Sequence, residues 1–341
     1  MAENEQTDQI DPTTDRVLVV RPAQAADRNA IFALCAHTWD DGDYIPYVWD
    51  EWLADIAGAL LVAVAGDQPV GILHVKMMTP EEAWIEGVRV DPQERRQGIA
   101  RMLVSRALVV AHDRGATVAR LFTHSENIAS QRLFARFGFT RVAEIVNYRA
   151  PALAFADGAD NIPDAAGDAA GAATPSGQDM NDAVVAPNDA LAQGARLRTP
   201  GPADFERLWG WLTQSTLTPF NGGLEIADWE ARALDEPTLR AYLAAGQVWT
   251  LEEWETILAL AVAVDQIAED DTTATLAVRY LDGQADYISR LSLTLREVAG
   301  DHELARVQLW LPDLLILHDA MAGAGYERQD DGAMWVYART L

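Results

Sequence analysis

Two features of this 341-residue chain are chemically suggestive. The first is the turn Arg95-Arg96-Gln97-Gly98-Ile99-Ala100, which follows the extended run Val88-Arg89-Val90-Asp91-Pro92 and leads into a helix. A strand-turn-helix junction of this kind aims successive main-chain N–H groups and a helix N-terminus at one point, which suits a pyrophosphate. Gly98 lets the backbone approach the anion, and Ala100 keeps the next helical turn close to it. Arg89, Arg95 and Arg96 add charge that does not titrate away, with Arg101 and Arg132 as helpers. The competing reading is an ordinary strand-to-helix connection with solvated arginines. The second feature is Glu86 in the apolar strand Trp84-Ile85-Glu86-Gly87-Val88. A carboxylate there is costly unless it faces a cleft or a partner, and partial burial would make it a better proton acceptor. Its bland alternative is an ion pair with an arginine such as Arg89.

Hydrophobic patterning supplies the frame for these groups. A strand over 17–21 leads into an amphipathic helix over 25–36. Strand-like runs at 60–65 and 70–77 flank Gly66-Asp67-Gln68-Pro69, a hairpin signal, and a third strand spans 84–90. Ile99, Leu103, Ala107, Val110 and Ala111 form the apolar face of a helix that ends at Gly115. A strand over 118–122, a helix over 127–137 closed by Gly138, and closing strands over 139–150 complete a mixed sheet with helices on its faces, an α/β arrangement.

The composition then changes. Residues 151–193 are rich in Ala, Gly, Asp and Pro and read as a flexible linker. Beyond them the pattern restarts: Arg21-Pro22-Ala23-Gln24-Ala25-Ala26-Asp27 has a counterpart in Arg198-Thr199-Pro200-Gly201-Pro202-Ala203-Asp204, and Phe137-Gly138-Phe139 is echoed by Ala324-Gly325-Tyr326. Strand-like runs recur at 248–251, 257–264, 273–280 and 307–311. The expected organisation is an acidic tail over 1–15, a first domain over 16–150, the linker, and a second copy over 194–341. Carrying the later spacing back sets Asp282, Ala285 and Tyr287 where Arg95, Gly98 and Ala100 stand. The second copy therefore lacks an equivalent anion cradle.

The order Arg95-x-x-Gly98-x-Ala100 after Glu86-Gly87-Val88-Arg89-Val90-Asp91-Pro92 resembles the acetyl-CoA loop of the GNAT superfamily of N-acetyltransferases. Asn127-Ile128-Ala129-Ser130-Gln131-Arg132-Leu133-Phe134, ending in Gly138-Phe139, resembles its second signature. The resemblance implies tandem GNAT-like domains, the second degenerate, with acetyl-CoA as cosubstrate and direct transfer to an amine. It implies that a main-chain N–H of Val88 or Val90 polarises the thioester, that Asn127 and Ser130 lie near the pantetheine arm, and that Phe134 packs on it. Many members have tyrosine where Phe134 stands. A phenyl ring donates no proton, so the acid passes to a weak candidate, Tyr148, or the thiolate leaves unassisted. His124, at a strand end, is read as structural. The stretch from Trp39 to Trp52 falls over the acceptor mouth, where Trp39, Asp43, Tyr44 and Tyr47 would suit a cationic amine. A salt-adapted acidic loop with core-anchored aromatics is the alternative. The phrases Asp43-Tyr44-Ile45-Pro46 and Ala83-Trp84-Ile85-Glu86-Gly87-Val88-Arg89-Val90 are similar to a branch that includes the vertebrate histidine N-acetyltransferase, which implies a small amine or amino acid acceptor. A protein N-terminal or lysine acetyltransferase and a non-catalytic acyl-CoA sensor are the other readings.

Composition narrows the partners. The net charge is −26, and Lys76 is the sole lysine. So acidic a chain repels phosphate backbones, which disfavours nucleic acid, and it suits high salt, where self-repulsion is screened. No apolar run is long enough to span a membrane, and the polar N-terminus has no signal core, so the expectation is a cytoplasmic protein. Cys35 is the sole cysteine, which excludes an internal disulfide and any multi-cysteine metal site. A homodimer is compatible with the sequence but not specified by it.

Overall fold

The computed structural model describes residues 17–36, 38, 42–153, 194–227, 229–267, 273–329 and 332–341. The acidic tail, Trp39 and linker residues 154–193 lie outside the described residues. In chain order the elements are β1 (Leu18–Pro22), α1 (Arg28–Cys35), α2 (Ile45–Ala54), β2 (Ala59–Ala65), β3 (Gln68–Met77), β4 (Glu82–Val90), α3 (Ile99–Asp113), β5 (Val118–His124), α4 (Ile128–Ala135) and β6 (Thr140–Pro151). There follow β7 (Arg196–Arg198), α5 (Phe205–Leu212), α6 (Thr218–Asn221), β8 (Leu224–Ala227), β9 (Glu230–Ala233), α7 (Glu236–Ala244), β10 (Val248–Glu253) and β11 (Thr256–Ile267). Last come β12 (Ala274–Gly283), α8 (Ala285–Asp301), β13 (Arg306–Pro312), α9 (Leu315–Gly323), β14 (Glu327–Arg328) and β15 (Met334–Thr340).

The chain forms two compact units. The first holds the described residues up to Ile145 together with Phe220–Ala233 and Gly332–Leu341; the second holds those of 146–219 and 234–331. Two segments from the second half of the sequence thus group with the first unit. One is β15, which pairs antiparallel with β5 from Met334 opposite His124 to Thr340 opposite Val118, and on its other edge with β6. The other is the β8–β9 hairpin, tied by Lys76 Nζ to Glu230 at 2.6 Å and by Ala233 N–H to the Glu82 carboxylate at 3.2 Å.

In the first unit the sheet order is β1-β2-β3-β4-β5-β15-β6. Gly66, with φ of +62°, turns the β2–β3 hairpin in a conformation that favours glycine. The entry to α1 is built by Asp27, which accepts from Gln24 N–H at 2.8 Å and from both arms of Arg21 at 2.7 Å. The aromatic stretch after Asp43 is a helix. Pro46 sits in the first turn of α2, where its missing N–H costs nothing, and Ile45, Trp49 and Trp52 form the buried face. Helix α3 buries Leu103, Val104, Ala107 and Ala111 in the main core, as its apolar spacing requires. The closing segment is one strand, β6, rather than several.

In the second unit β7-β10-β11-β12-β13 are neighbours in that order, and β14 pairs with the end of β6. Residues 151–153, expected to open the linker, are anchored: Ala152 N–H donates to Ala305 O at 3.0 Å and Leu153 N–H to Arg296 O at 2.9 Å. The repeated sequence phrases have the same local form. Gly201 N–H donates to Asp204 at 3.1 Å, as Gln24 does to Asp27, and Gly138 and Gly325 both turn out of a helix at φ of +77° and +75°. Among the described residues no helix is long and apolar enough to cross a membrane.

Candidate active site

The site is organised by where β4 leaves β5. These parallel strands pair only from Glu82 opposite Val118 to Trp84 opposite Arg120. Beyond Trp84, β4 stays on β3 while β5 continues beside β15, so among the described residues the far edge of β4 has no partner strand. A register shift between Ile72 and His74 marks a bulge in β4, where Gly87 and Val88 together stand opposite Leu73. Gly87 has φ of +65°, and a Cβ there would come within 2.5 Å of the Trp52 ring, so only glycine fits. Val88 and Val90 line the splayed strand, partly buried against the main core.

At the end of β4 lies the turn predicted to bind an anion. Asp91 caps a short 3-10 turn by accepting from Gln93 N–H at 2.8 Å, and Gly98 enters α3 with φ of +84°. A Cβ on Gly98 would meet nothing nearer than Arg101 at 4.0 Å, so its conformation, not crowding, calls for glycine. The first N–H of this region with a main-chain acceptor is that of Met102, which donates to Gly98 O at 3.0 Å. Among the described residues, no acceptor meets the N–H groups of residues 95–101. Arg95, Arg96 and Gln97 are exposed, with Gln97 donating to Glu94 at 2.7 Å, while Ala100 is half-buried and the Ile99 side chain is in the core. Arg96 holds φ of +70°, unusual for a side chain of its size.

Glu86 is not paired with an arginine. Its Oε1 lies 2.8 Å from Nδ1 of His74 on β3, and Nε2 of that ring lies 3.1 Å from Oδ2 of Asp55, just past α2. His74 is buried, and its ring is stacked on Trp52 with centroids 4.6 Å apart. The sequence reading missed His74 and Asp55. A histidine inside the apolar run Val70–Val75, one strand from a carboxylate in another apolar run, was the available signal.

Arg89 goes elsewhere. Its Nε donates to Asp43 Oδ2 at 2.7 Å and Nη2 to Oδ1 at 3.2 Å, and its guanidinium lies 5.5 Å from the centre of the Tyr44 ring. The Glu86–Arg89 pair weighed as the alternative is therefore absent, and Arg89 and Asp43, assigned to cofactor and acceptor, hold each other because both point into the same buried space. Tyr44 meets Trp52 edge-on at 5.8 Å, whereas Tyr47 on α2 is largely exposed. Cys35 is a buried hydrophobe whose thiol burial pushes up to about 12.

Around α4, Asn127 Oδ1 caps the helix by accepting from Ser130 N–H at 3.0 Å. Phe134 is buried in the main core, edge-on to Phe139 at 5.3 Å, because an apolar ring next to Leu133 and Phe137 has more to gain there than at a polar cleft. Tyr148 belongs to the second unit, 6.2 Å from the His318 ring, and burial pushes its hydroxyl up to about 12. His124 Nδ1 accepts from Glu126 N–H at 3.2 Å, a turn contact. Among the described residues no group of three or more His, Cys, Asp and Glu side chains is arranged to hold a metal ion.

The second unit repeats the strand divergence without the turn. Strands β12 and β13 pair in parallel only from Thr275 opposite Arg306 to Val278 opposite Leu309. Gln284 alone separates β12 from α8, so no loop exists in which amides could converge. Trp84 and Ala277 each face the third residue of the next strand, and two residues further on, where β4 has Glu86, β12 has Arg279.

Comparison with known proteins agrees with this geometry. Residues 28–139 match the family described as Acetyltransferase (GNAT) family. The aminoglycoside N(6')-acetyltransferase type 1 of Klebsiella aerogenes is 30% identical over 151 residues, covering 39% of this chain and 96% of that protein. A GCN5-related N-acetyltransferase from Sphaerobacter thermophilus shares the fold over 95% of both chains, with a TM-score of 0.55 and 13% identity. A putative acetyltransferase from Thermoplasma acidophilum does so over 95% of this chain and 100% of its own, with a TM-score of 0.51 and 15% identity. With its diverging parallel strands, its glycine turn and a relative matched over nearly its whole length, the chain belongs to the GNAT acetyltransferase family, whose members are acetyl-CoA-dependent N-acetyltransferases.

Proposed function

We propose that the first unit transfers acetyl from acetyl-CoA to the amine of a small cationic molecule by direct attack. The observation that carries this reading is the run of acceptor-free N–H groups over residues 95–101, at the end of a strand that has left its neighbour. Such a cradle, with Arg95 and Arg96 beside it, fits the diphosphate of coenzyme A. The exposed edge of β4 at Val88 and Val90 offers an N–H to the thioester oxygen, which stabilises charge where it develops. Glu86 takes the ammonium proton of the acceptor, directly or through water: an N–H bond breaks and an O–H bond forms on the carboxylate. No residue is assigned to protonate the departing thiolate, since Phe134 has no hydroxyl.

The preference for a small cation rests on charge. Lys76 is held above its usual range: burial works against its ammonium, but the hydrogen bond and field of Glu230, with the fields of Glu86 and Glu51, outweigh it. A second cation entering beside those carboxylates would be attracted in the same way. The Klebsiella relative is named for an aminoglycoside, a polyamine-like cation of this kind. A place in the histidine-acetylating branch would instead favour an amino acid. We read the second unit as a degenerate copy that holds no acetyl-CoA, and the cytoplasm and a high-salt habitat as its setting.

The test is a panel in molar KCl: acetyl-CoA with amino acids, diamines, an aminoglycoside bearing a 6'-amine, and lysine peptides, read by released thiol. Turnover concentrated on the small cations supports the reading. Peptide-only turnover moves the acceptor to protein, and binding of acetyl-CoA without any turnover makes the chain a sensor.

A further inference from the structure

We propose that His74 and Asp55 are positioning residues that hold Oε1 of Glu86 so that Oε2 is the atom that accepts the proton of the attacking amine. This rests on the reading of Glu86 as the base. The three groups form a line across three elements: Asp55 after α2, His74 on β3 and Glu86 on β4, with contacts of 3.1 and 2.8 Å. Oε2 of Glu86 has no hydrogen-bond partner among the described residues, and 18% of the side chain is exposed. One oxygen is therefore committed and the other is open to the cleft.

The line is built to stay in place. Trp52 lies against the face of the His74 ring with the two planes 15° apart, so the imidazole cannot swing without displacing it. Asp55 is fixed in turn, because its Oδ1 accepts from Gly58 N–H at 2.7 Å. Gly58 has to be glycine: a Cβ there would sit 2.0 Å from Val75 O and 2.1 Å from the Asp55 oxygen that meets His74. Each short ring-to-carboxylate contact needs one proton, and the proposal requires that the one facing Glu86 sit on Nδ1 of His74, which donates to Oε1 and leaves Glu86 an ionised carboxylate able to accept at Oε2. That hydrogen bond fixes the carboxylate's rotamer. A base held within a fraction of an ångström is worth more than one free to turn away. In the proposed step the acceptor's N–H bond breaks, the O–H bond forms at Oε2, and that proton passes to water through the cleft when the product leaves.

The experiment compares His74→Ala, His74→Gln, Asp55→Asn and Glu86→Gln, singly and as the His74→Ala/Glu86→Gln pair, with acetyl-CoA and the best amine of the panel above. His74→Ala and Asp55→Asn should each lower kcat about tenfold or more while KM for acetyl-CoA and calorimetric binding of coenzyme A stay within about twofold. His74→Gln, whose amide can still donate to Oε1, should recover part of the loss. In the Glu86→Gln background the His74→Ala loss should disappear, because there is no base left to position. Full kcat in the two folded variants, or an undiminished loss in the Glu86→Gln background, overturns the proposal. Should His74→Ala fail to fold, His74→Gln and Asp55→Asn carry the same comparison. A fully active Glu86→Gln, or a parent with no turnover, overturns the base reading itself and this inference with it, which the single variants tell apart.

Discussion

Arg89 grips Asp43 with two nitrogens on two oxygens, at 2.7 and 3.2 Å, although 46 residues separate them in the chain. The Asp43 side chain is 1% exposed and that of Arg89 14%, so neither has water to fall back on. The pair joins the segment before α2 to β4, and Asp43 also accepts from Ile45 N–H at 3.1 Å, which starts the helix that carries Trp52. An arginine one residue from Val88 thus acts on helix α2.

Asp43→Ala removes the carboxylate that faces that largely buried guanidinium, and we expect a loss of about 3 kcal/mol in stability, the size associated with breaking a buried pair from one side. Urea unfolding in molar KCl measures it. A midpoint equal to the parent's would mean that the pair contributes nothing and that Asp43 is free for an acceptor after all.

Glu86→Gln keeps the shape of the side chain and removes its capacity to take a proton. Turnover should fall on the order of 10²-fold or more, the range for a general base. Coenzyme A binding, seen by calorimetry, should be unchanged, because the cradle at residues 95–101 lies at the other end of the exposed strand edge. Weakened binding together with slowed turnover would point to a structural part for Glu86.

Much of this site could be read from local pattern. The glycine turn, the helix behind it and the carboxylate in an apolar strand are all contained within residues 84–111, where spacing alone tells strand from helix. What escaped was non-local. The fork between Asp43 and Arg89 and the line from Asp55 through His74 to Glu86 depend on which side chains of separate elements share one buried space, and periodicity carries no such information. Strand β15 is a sharper case. Its apolar residues read equally well as a strand in either half, and only the pairing of Val336 with Phe122 and Ala143 assigns it to the first unit.

At the turn proposed to hold the anion, charge and shape should contribute differently, and salt separates them. Arg95→Ala should raise KM for acetyl-CoA about fivefold in dilute buffer, about 1 kcal/mol for a charged contact, and much less in molar KCl, where an exposed charge is screened. Gly98→Ala adds a Cβ to a residue at φ of +84°, a strain of about 1 kcal/mol that salt does not relieve. Steady-state kinetics at two KCl concentrations reads both. Equal salt dependence for the two variants would mean that the arginine contributes no charge to binding.

Asp27 should make folding stability fall in acid, and the effect should be visible only in high salt. Arg21, through its two hydrogen bonds, holds the Asp27 carboxyl below its ordinary range, outweighing the opposite push of burial, and Gln24 N–H adds to it. A carboxylate whose folded value is depressed contributes stability that is present above its unfolded value, about 3.9, and is lost as pH falls through the folded one. With a net charge of −26, dilute buffer brings an opposing effect. Protonating exposed carboxylates relieves self-repulsion and stabilises the chain over the same pH range. Molar KCl screens that repulsion and leaves the Asp27 contribution to be seen. Urea midpoints measured from pH 6 down to about 3 should therefore drop more steeply in KCl for the parent than for Asp27→Asn, whose amide cannot take up the proton. Parallel curves for the two proteins would show that the Arg21–Asp27 fork does not couple folding to pH.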